Sequence, residues 1–141
     1  HTVMYLLIDD KLEGLITVAD SIKESAKNMI NFFKSKFIDI VMLTGDNKFV
    51  AQKVAEELNI SNFVADILPD QKYAYIKELQ DKGKIVAMVG DGINDTVALI
   101  GANVGISFAK ATDIAIDSSS ITLISNDFNS LIKAKNLSNI T

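Results

Sequence analysis

The 141-residue chain has no cysteine and no arginine, one histidine (His1) and one proline (Pro69). Without thiols it can build neither a disulfide scaffold nor a thiolate metal site. All 14 basic residues are lysine, so no planar guanidinium is on hand to clamp a phosphate, and phosphate contacts must rest on point charges and backbone amides. Long apolar runs are missing too. "VMYLLI" and "IVAMVG" fall far short of the ~18 to 20 residues a membrane helix needs, so the chain reads as soluble. A net charge of -4 and a pI near 4.9 leave no basic face for a phosphate backbone, which argues against nucleic acid and for a cation as partner. Repeats, low-complexity tracts and Pro/Gly-rich linkers are absent, so residues 1-141 read as one domain. The opening "HTVMYLLIDD" has no basic stretch or cleavage site of a signal peptide and runs straight into strand-like sequence, as at a boundary cut within a longer chain.

With 48% hydrophobic and 23% charged residues, the composition is that of a globular domain with one core. "TVMYLLID" and "LEGLITVA" are β-rich and joined by "DDK", which predicts an antiparallel pair near residues 2 to 9 and 12 to 19. "SIKE" offers a capping box from Ser21 to Glu24, and Ile22, Ala26, Met29 or Ile30, and Phe33 keep helical spacing to about Lys36. Strands and helices then alternate: "DIVML", a helix from Asn47 with Val50, Val54 and Leu58 on one face, "FVADI", and a helix with Pro69 in its first turn. "KIVAMV", a short helix near 93 to 100, "VGIS", a helical turn near 112 to 117, "ITLI" and a last helix capped by Asn126 or Asp127 follow. The expected fold is α/β, doubly wound around a mainly parallel sheet.

In open α/β sheets ligands sit beyond the carboxyl ends of the strands. That rule gathers three polar clusters on one edge: Thr44-Gly45-Asp46, Lys72 in "PDQK", and "GDGIND" from Gly90 to Asp95. Asp91 stands at a strand tip between two glycines, and Asp95 lies one helical turn further on. Two hard carboxylates suit Mg²⁺, which takes one or two protein acids together with waters and phosphate oxygens. Asn94 can hold a carboxylate or a water, the Thr44 hydroxyl and Gly45 amide can donate to phosphate oxygens, and Lys72 adds a positive charge. Each of these also has a plainer use, as a helix cap or a surface lysine, but their shared edge favours a phosphoryl and magnesium site. The glycines of "GDGIND" do not make a dinucleotide loop, since Asp95 stands where the third glycine belongs, and no G-x-x-x-x-G-K-[ST] occurs.

"MVGDGIND" followed by "ALIGANVGIS", with "MLTGDN" upstream and "ADILPDQK" between, resembles the phosphorylation domain of P-type ATPases. Together with "ITVADSIKE" it is similar to the heavy-metal branch, copper transporters above all, over essentially the whole chain. The resemblance implies a haloacid-dehalogenase-like fold in which ATP, as substrate, phosphorylates an aspartate during metal transport. It implies Mg²⁺ at Asp91, with Asp95 as second ligand or orienting acid, and the phosphoryl group at Thr44 and Gly45. Asp46 would serve the nucleotide or domain closure, Lys72 would neutralise phosphoryl oxygens, and Asp20 would mark the family's Asp-Pro hinge. Ser21 replaces the proline of that hinge, Lys23 stands where arginine is common, and Thr96-Val97 replaces a Ser-Pro or Ala-Pro pair.

The family nucleophile lies in D-K-T-G-T, which these 141 residues do not contain. The resemblance therefore implies that the chain is the part following the inserted nucleotide-binding domain, on the cytosolic face of a membrane protein, and inactive alone. Its partners would be the nucleophile segment and the nucleotide-binding, actuator and membrane domains, and its open sheet edges invite dimerisation. A free-standing phosphatase would instead use Asp9 at the end of "LLIDD", but its second acid belongs two residues on, where Lys11 stands. A receiver-like signalling module phosphorylated at Asp46 would need a helix directly after that acidic pair and a late lysine, and "LEGLITVA" and Lys72 supply neither.

Overall fold

The computed structural model describes residues 2–8, 11–18, 21–90, 93–108, 119–123 and 127–138, with the backbone alone for 2–8, 11–18 and 93. Strands β1 (Thr2–Ile8) and β2 (Lys11–Val18) pair antiparallel, from Thr2 opposite Val18 to Ile8 opposite Lys11, with an irregularity between Leu6 and Leu7. The rest alternates as follows: α1 (Glu24–Ser35), β3 (Val41–Leu43), α2 (Lys48–Glu57), β4 (Asn62–Val64), α3 (Pro69–Asp81), β5 (Ala87–Gly90), a 3₁₀ turn (Ile93–Asp95), α4 (Thr96–Gly101), β6 (Val104–Phe108), β7 (Ile121–Leu123) and α5 (Asn129–Ser138). All pairings from β3 onward are parallel: β3 with β4, and β5 with β6 with β7. The helical turn expected near 112 to 117 lies outside the described residues.

Local chemistry explains most helix ends. Asn47 caps α2, its Oδ1 accepting the Val50 N–H at 3.0 Å. Pro69 opens α3 where its missing N–H costs nothing, and the Leu68 N–H donates to Gln71 Oε1 at 2.9 Å. Ser21 does not cap α1: the helix begins at Glu24 after an extended Lys23 with no side-chain cap. Glu24 thus falls in the first turn, where its charge complements the helix dipole, and not at the third position that a capping box requires.

At the last helix, Asp127 Oδ1 accepts the Asn129 N–H at 3.0 Å; Asn126 lies outside the described residues. That backbone hydrogen bond, with help from the Asn129 and Ser25 side chains and Lys133, holds the Asp127 carboxyl below its ordinary range. A carboxyl with a lowered folded pKa stabilises above its unfolded value, near 3.9, and the gain is lost as pH falls through the folded value. Asp127→Ala is therefore expected to lower the unfolding midpoint at neutral pH, with the gap to the parent chain closing below about pH 4; thermal unfolding followed at both pH values checks this.

Two apolar clusters make the core. Ile106, Phe108, Leu123 and Leu131 form one, and Ile30, Ala55 and Ile60 the other; Met29 of α1 packs on both. The periodicity of α1 is thus used as read, with Ala26 and Ile30 buried. On α2 the deepest contacts are made by Ala51 and Ala55, each 1% exposed, because small side chains let the helix backbone approach the sheet; Val50, Val54 and Leu58 are half-buried around them. Helix α1 packs against α5, and α3 against α4.

Among the described residues no backbone hydrogen bonds join β3 to β5, so the parallel strands fall into a β3-β4 pair and a β5-β6-β7 sheet. Burial follows the same division. β6, with a neighbour on each side, is buried from Gly105 to Phe108. β3 is only half-buried throughout, and on β5 Ala87 is exposed with Met88 and Val89 half-buried.

Candidate functional site

The carboxyl ends of β3 and β5 carry the polar clusters. Beyond Leu43 the chain makes a tight polar turn. The Thr44 N–H donates to the Val64 carbonyl at 3.0 Å, and the Thr44 carbonyl accepts the Ile67 N–H at 3.1 Å. Thr44 Oγ1 donates to Asp46 Oδ2 at 2.9 Å and accepts the Asp46 N–H at 3.1 Å. The Asp46 carbonyl in turn accepts the Asp66 N–H at 2.8 Å. This turn is therefore lashed to the β4–α3 connection, in which Asp66 takes a left-handed conformation, φ 52°. The Thr44 hydroxyl can serve a phosphoryl oxygen only by turning its proton away from Asp46, which makes Asp46 the group that holds the hydroxyl in place. A Cβ on Gly45 would meet only the Ile67 carbonyl, at 3.7 Å, so space at this turn does not demand glycine.

The second cluster is an ion pair. Lys72 Nζ lies 2.7 Å from Asp95 Oδ1, each side chain 13% exposed. Lys72 is placed by the first turn of α3, whose start is tied to Thr44 through Ile67, and Asp95 closes the 3₁₀ turn after β5. Gly90 makes this possible: a Cβ there would lie 2.7 to 2.9 Å from the Cβ, Cγ and Oδ2 of Asp95, closer than such atoms come. A bare backbone at the end of β5 lets the Asp95 carboxylate fold over the strand towards Lys72. The sequence places Gly90 beside Asp91 at a strand tip, and its closer task of admitting Asp95 went unread there; the five-residue spacing between Gly90 and Asp95 was the available signal.

Asn94 is exposed on the same turn. Asp91, Asp20 and Asp9 lie outside the described residues. Gly90 itself is buried and pairs in register with Ser107 of β6, which fixes the strand tip that Asp91 follows. The Thr96 hydroxyl oxygen, at the start of α4, is buried without a hydrogen-bond partner among the described residues. Gly101, at the end of α4, lies against the Tyr73 ring of α3, where a Cβ would come within 2.4 Å.

Among the described residues no three acidic or histidine side chains gather as a metal cage. The donor set still suits Mg²⁺, which needs one or two protein carboxylates and takes phosphate and water for the rest. Asp95 pairs with Lys72, so of the two acids expected to meet the ion it is Asp91, outside the described residues, that would hold it.

The haloacid dehalogenase-like hydrolase family matches residues 2–103. The copper-exporting P-type ATPase of Bacillus subtilis is 44% identical over 140 residues, covering 99% of this chain and 18% of that protein. Copper-transporting ATPase 1 of Mus musculus is 43% identical over 141 residues, covering 100% of this chain and 10% of that protein. Among solved structures, a zinc-transporting PIB-type ATPase in its E2.Pi state superposes with a TM-score of 0.86 at 32% identity, covering 93% of this chain and 21% of that one. The chain thus spans 10 to 21% of the length of these relatives.

Proposed function

The chain belongs to the haloacid dehalogenase-like hydrolases, and from that we propose that it forms the later part of the cytosolic phosphorylation domain of a copper-type heavy-metal P-type ATPase. Within that pump it binds the phosphoryl group that ATP transfers to an aspartate. The Lys72–Asp95 pair carries this reading: a mostly buried lysine, drawn to the strand ends by a mostly buried acid 2.7 Å away, is a preorganised charge for phosphoryl oxygens. Thr44 supplies a hydroxyl that Asp46 holds in place and that can turn its proton to a phosphoryl oxygen. Mg²⁺, held by Asp91, would neutralise negative charge developing on the phosphoryl oxygens. The transported ion's class is supported by the names of the relatives, copper in two and zinc in one.

The nucleophile belongs to a strand bearing D-K-T-G-T, and the division between β3 and β5 supports its place. Strands in a sheet lie about 4.8 Å apart, so one extended segment between β3 and β5 would join the two parallel sheets into one. It would cover the half-buried faces of Val41, Leu43 and Met88 and end among Thr44, Lys72 and Asp91. The covalent step then uses a carboxylate from that strand as nucleophile, and this chain supplies positioning and charge.

Mixing the 141-residue chain with a peptide carrying that strand and [³²P]acetyl phosphate with Mg²⁺ tests the reading. We expect an alkali-labile acyl phosphate on the peptide and none on the chain alone. An unlabelled peptide, in a mixture shown by fluorescence anisotropy to be bound, would sink it; so would turnover of p-nitrophenyl phosphate by the chain alone that vanishes in Asp9→Asn.

A further inference from the structure

The edge opposite the phosphoryl site has its own composition. Two loops enter the strands there with the same pattern, lysine, any residue, lysine, then exposed apolar: Lys34-Ser35-Lys36-Phe37-Ile38 before β3 and Lys82-Gly83-Lys84-Ile85 before β5. Phe37 is 98% exposed and Ile85 87%. Phe37 sits at a left-handed residue, φ 57°, a conformation that disfavours bulky side chains, and it buries nothing in return. Lys84 Nζ lies 3.3 Å from Asp39 Oδ2, which shows that the two loops run side by side and present their apolar tips at the same edge.

We propose that this edge is a membrane-facing surface, with Phe37 and Ile85 entering the headgroup layer of an anionic bilayer and the flanking lysines pairing with lipid phosphates. The pattern fits lipid better than a folded partner, since apolar tips between lysines suit an interface that is apolar within and anionic at its rim. Four lysines (34, 36, 82 and 84) stand against Asp39, Glu78 and Asp81, which leaves one net positive charge on a chain that carries -4 overall. Glu57 on the neighbouring helix is already engaged by Lys27 at 3.1 Å. Lys82 is bonded to Glu78 at 2.5 Å and Lys84 to Asp39, but all four side chains are more than half exposed, and such pairs exchange readily for other anions.

One net charge and two apolar tips give weak binding to a free vesicle. Weak binding suffices if the chain is tethered to the bilayer, because tethering raises its effective concentration towards the millimolar range; in that respect the inference rests on the pump reading above. The membrane contact also has a consequence for that reading, since an edge fixed on the bilayer leaves the phosphoryl edge facing the other domains.

The chain has no tryptophan, which makes single-tryptophan reporters possible. Phe37→Trp probes the patch, and Phe49→Trp probes another exposed phenylalanine, 68% exposed, in the first turn of α2 at the other edge. With vesicles of phosphatidylcholine and phosphatidylserine at millimolar accessible lipid, matching the effective concentration of a tethered chain, the Phe37→Trp emission should move to shorter wavelength and become shielded from iodide, while the Phe49→Trp emission stays put. Binding should weaken about fivefold on pure phosphatidylcholine, as expected for one charge near the surface, and about tenfold when Ile85→Ser is added. Circular dichroism establishes that each variant is folded. An unshifted Phe37→Trp signal overturns the proposal, and so does an equal shift at both positions. Neither result touches the phosphoryl assay, which uses no lipid.

Discussion

Asp95→Leu is expected to destabilise the chain by about 2 to 3 kcal/mol, because it strands the Lys72 ammonium at a site only 13% exposed with no other carboxylate paired to it among the described residues. Lys72→Met should cost a similar amount by stranding Asp95. The figure lies below the 3 to 5 kcal/mol typical of fully buried pairs, since both side chains keep some contact with water. Combining Asp95→Leu with Lys72→Met should recover most of the loss, because two apolar side chains of similar size leave no charge to desolvate. Urea unfolding of the two single variants and the double variant measures this coupling, and purely additive losses would contradict it. The double variant separates stability from function: folded but without the lysine, it should form the acyl phosphate with the added peptide about 100-fold more slowly than the parent chain, the scale of losing one preorganised charge.

Gly105→Ala should be the most damaging single methyl in the described fold. A Cβ at Gly105 would sit 2.6 Å from the Leu99 carbonyl oxygen, 3.2 Å from its carbonyl carbon and 3.4 Å from its Cα. These are backbone atoms of α4, so no side-chain rotation can relieve the clash. To make room, α4 must move off β6, which strips cover from Ala98 and Leu99, at 0% and 1% exposed. Overpacking of this kind costs about 3 kcal/mol, or roughly 10 °C in the melting temperature for a chain of this length. Gly83→Ala is the matching control for glycine replacement without crowding: it has nothing within 4 Å, though its φ of 79° carries a local conformational cost of about 1 kcal/mol. Equal losses for the two would show that α4 yields more easily than its packing implies.

The alternation of elements was legible because each one carries its own period and its own stop. Asn47, Pro69 and the apolar spacing of "KNMINFF" act within a few residues of themselves, so α1, α2 and α3 could be read without knowing the fold. Reading failed where a choice depended on a neighbour. Ser21 and Glu24 have capping-box spacing, yet the chain enters α1 two residues later. "KIVAMV" looks like a six-residue strand, but Lys84, Ile85 and Val86 lie outside β5, with the Val86 N–H taken by Asn103 Oδ1 at 2.9 Å. That bond comes from 17 residues away and has no local signature.

At the site, the sequence alone determined which chemical groups are available: lysine without arginine, acids without cysteine, and motifs that put Thr44, Lys72 and Asp95 at strand ends. Residue type and spacing suffice for that, since strand ends in a parallel sheet share one edge by topology. Only the tertiary structure decided who pairs with whom. Asp95 reaches Lys72 because Gly90 leaves the strand end bare, and the Thr44 hydroxyl is turned towards Asp46 by a loop anchored on β4. Contacts of a few ångströms between residues 23 apart depend on how rigid elements stack, and no local pattern records that.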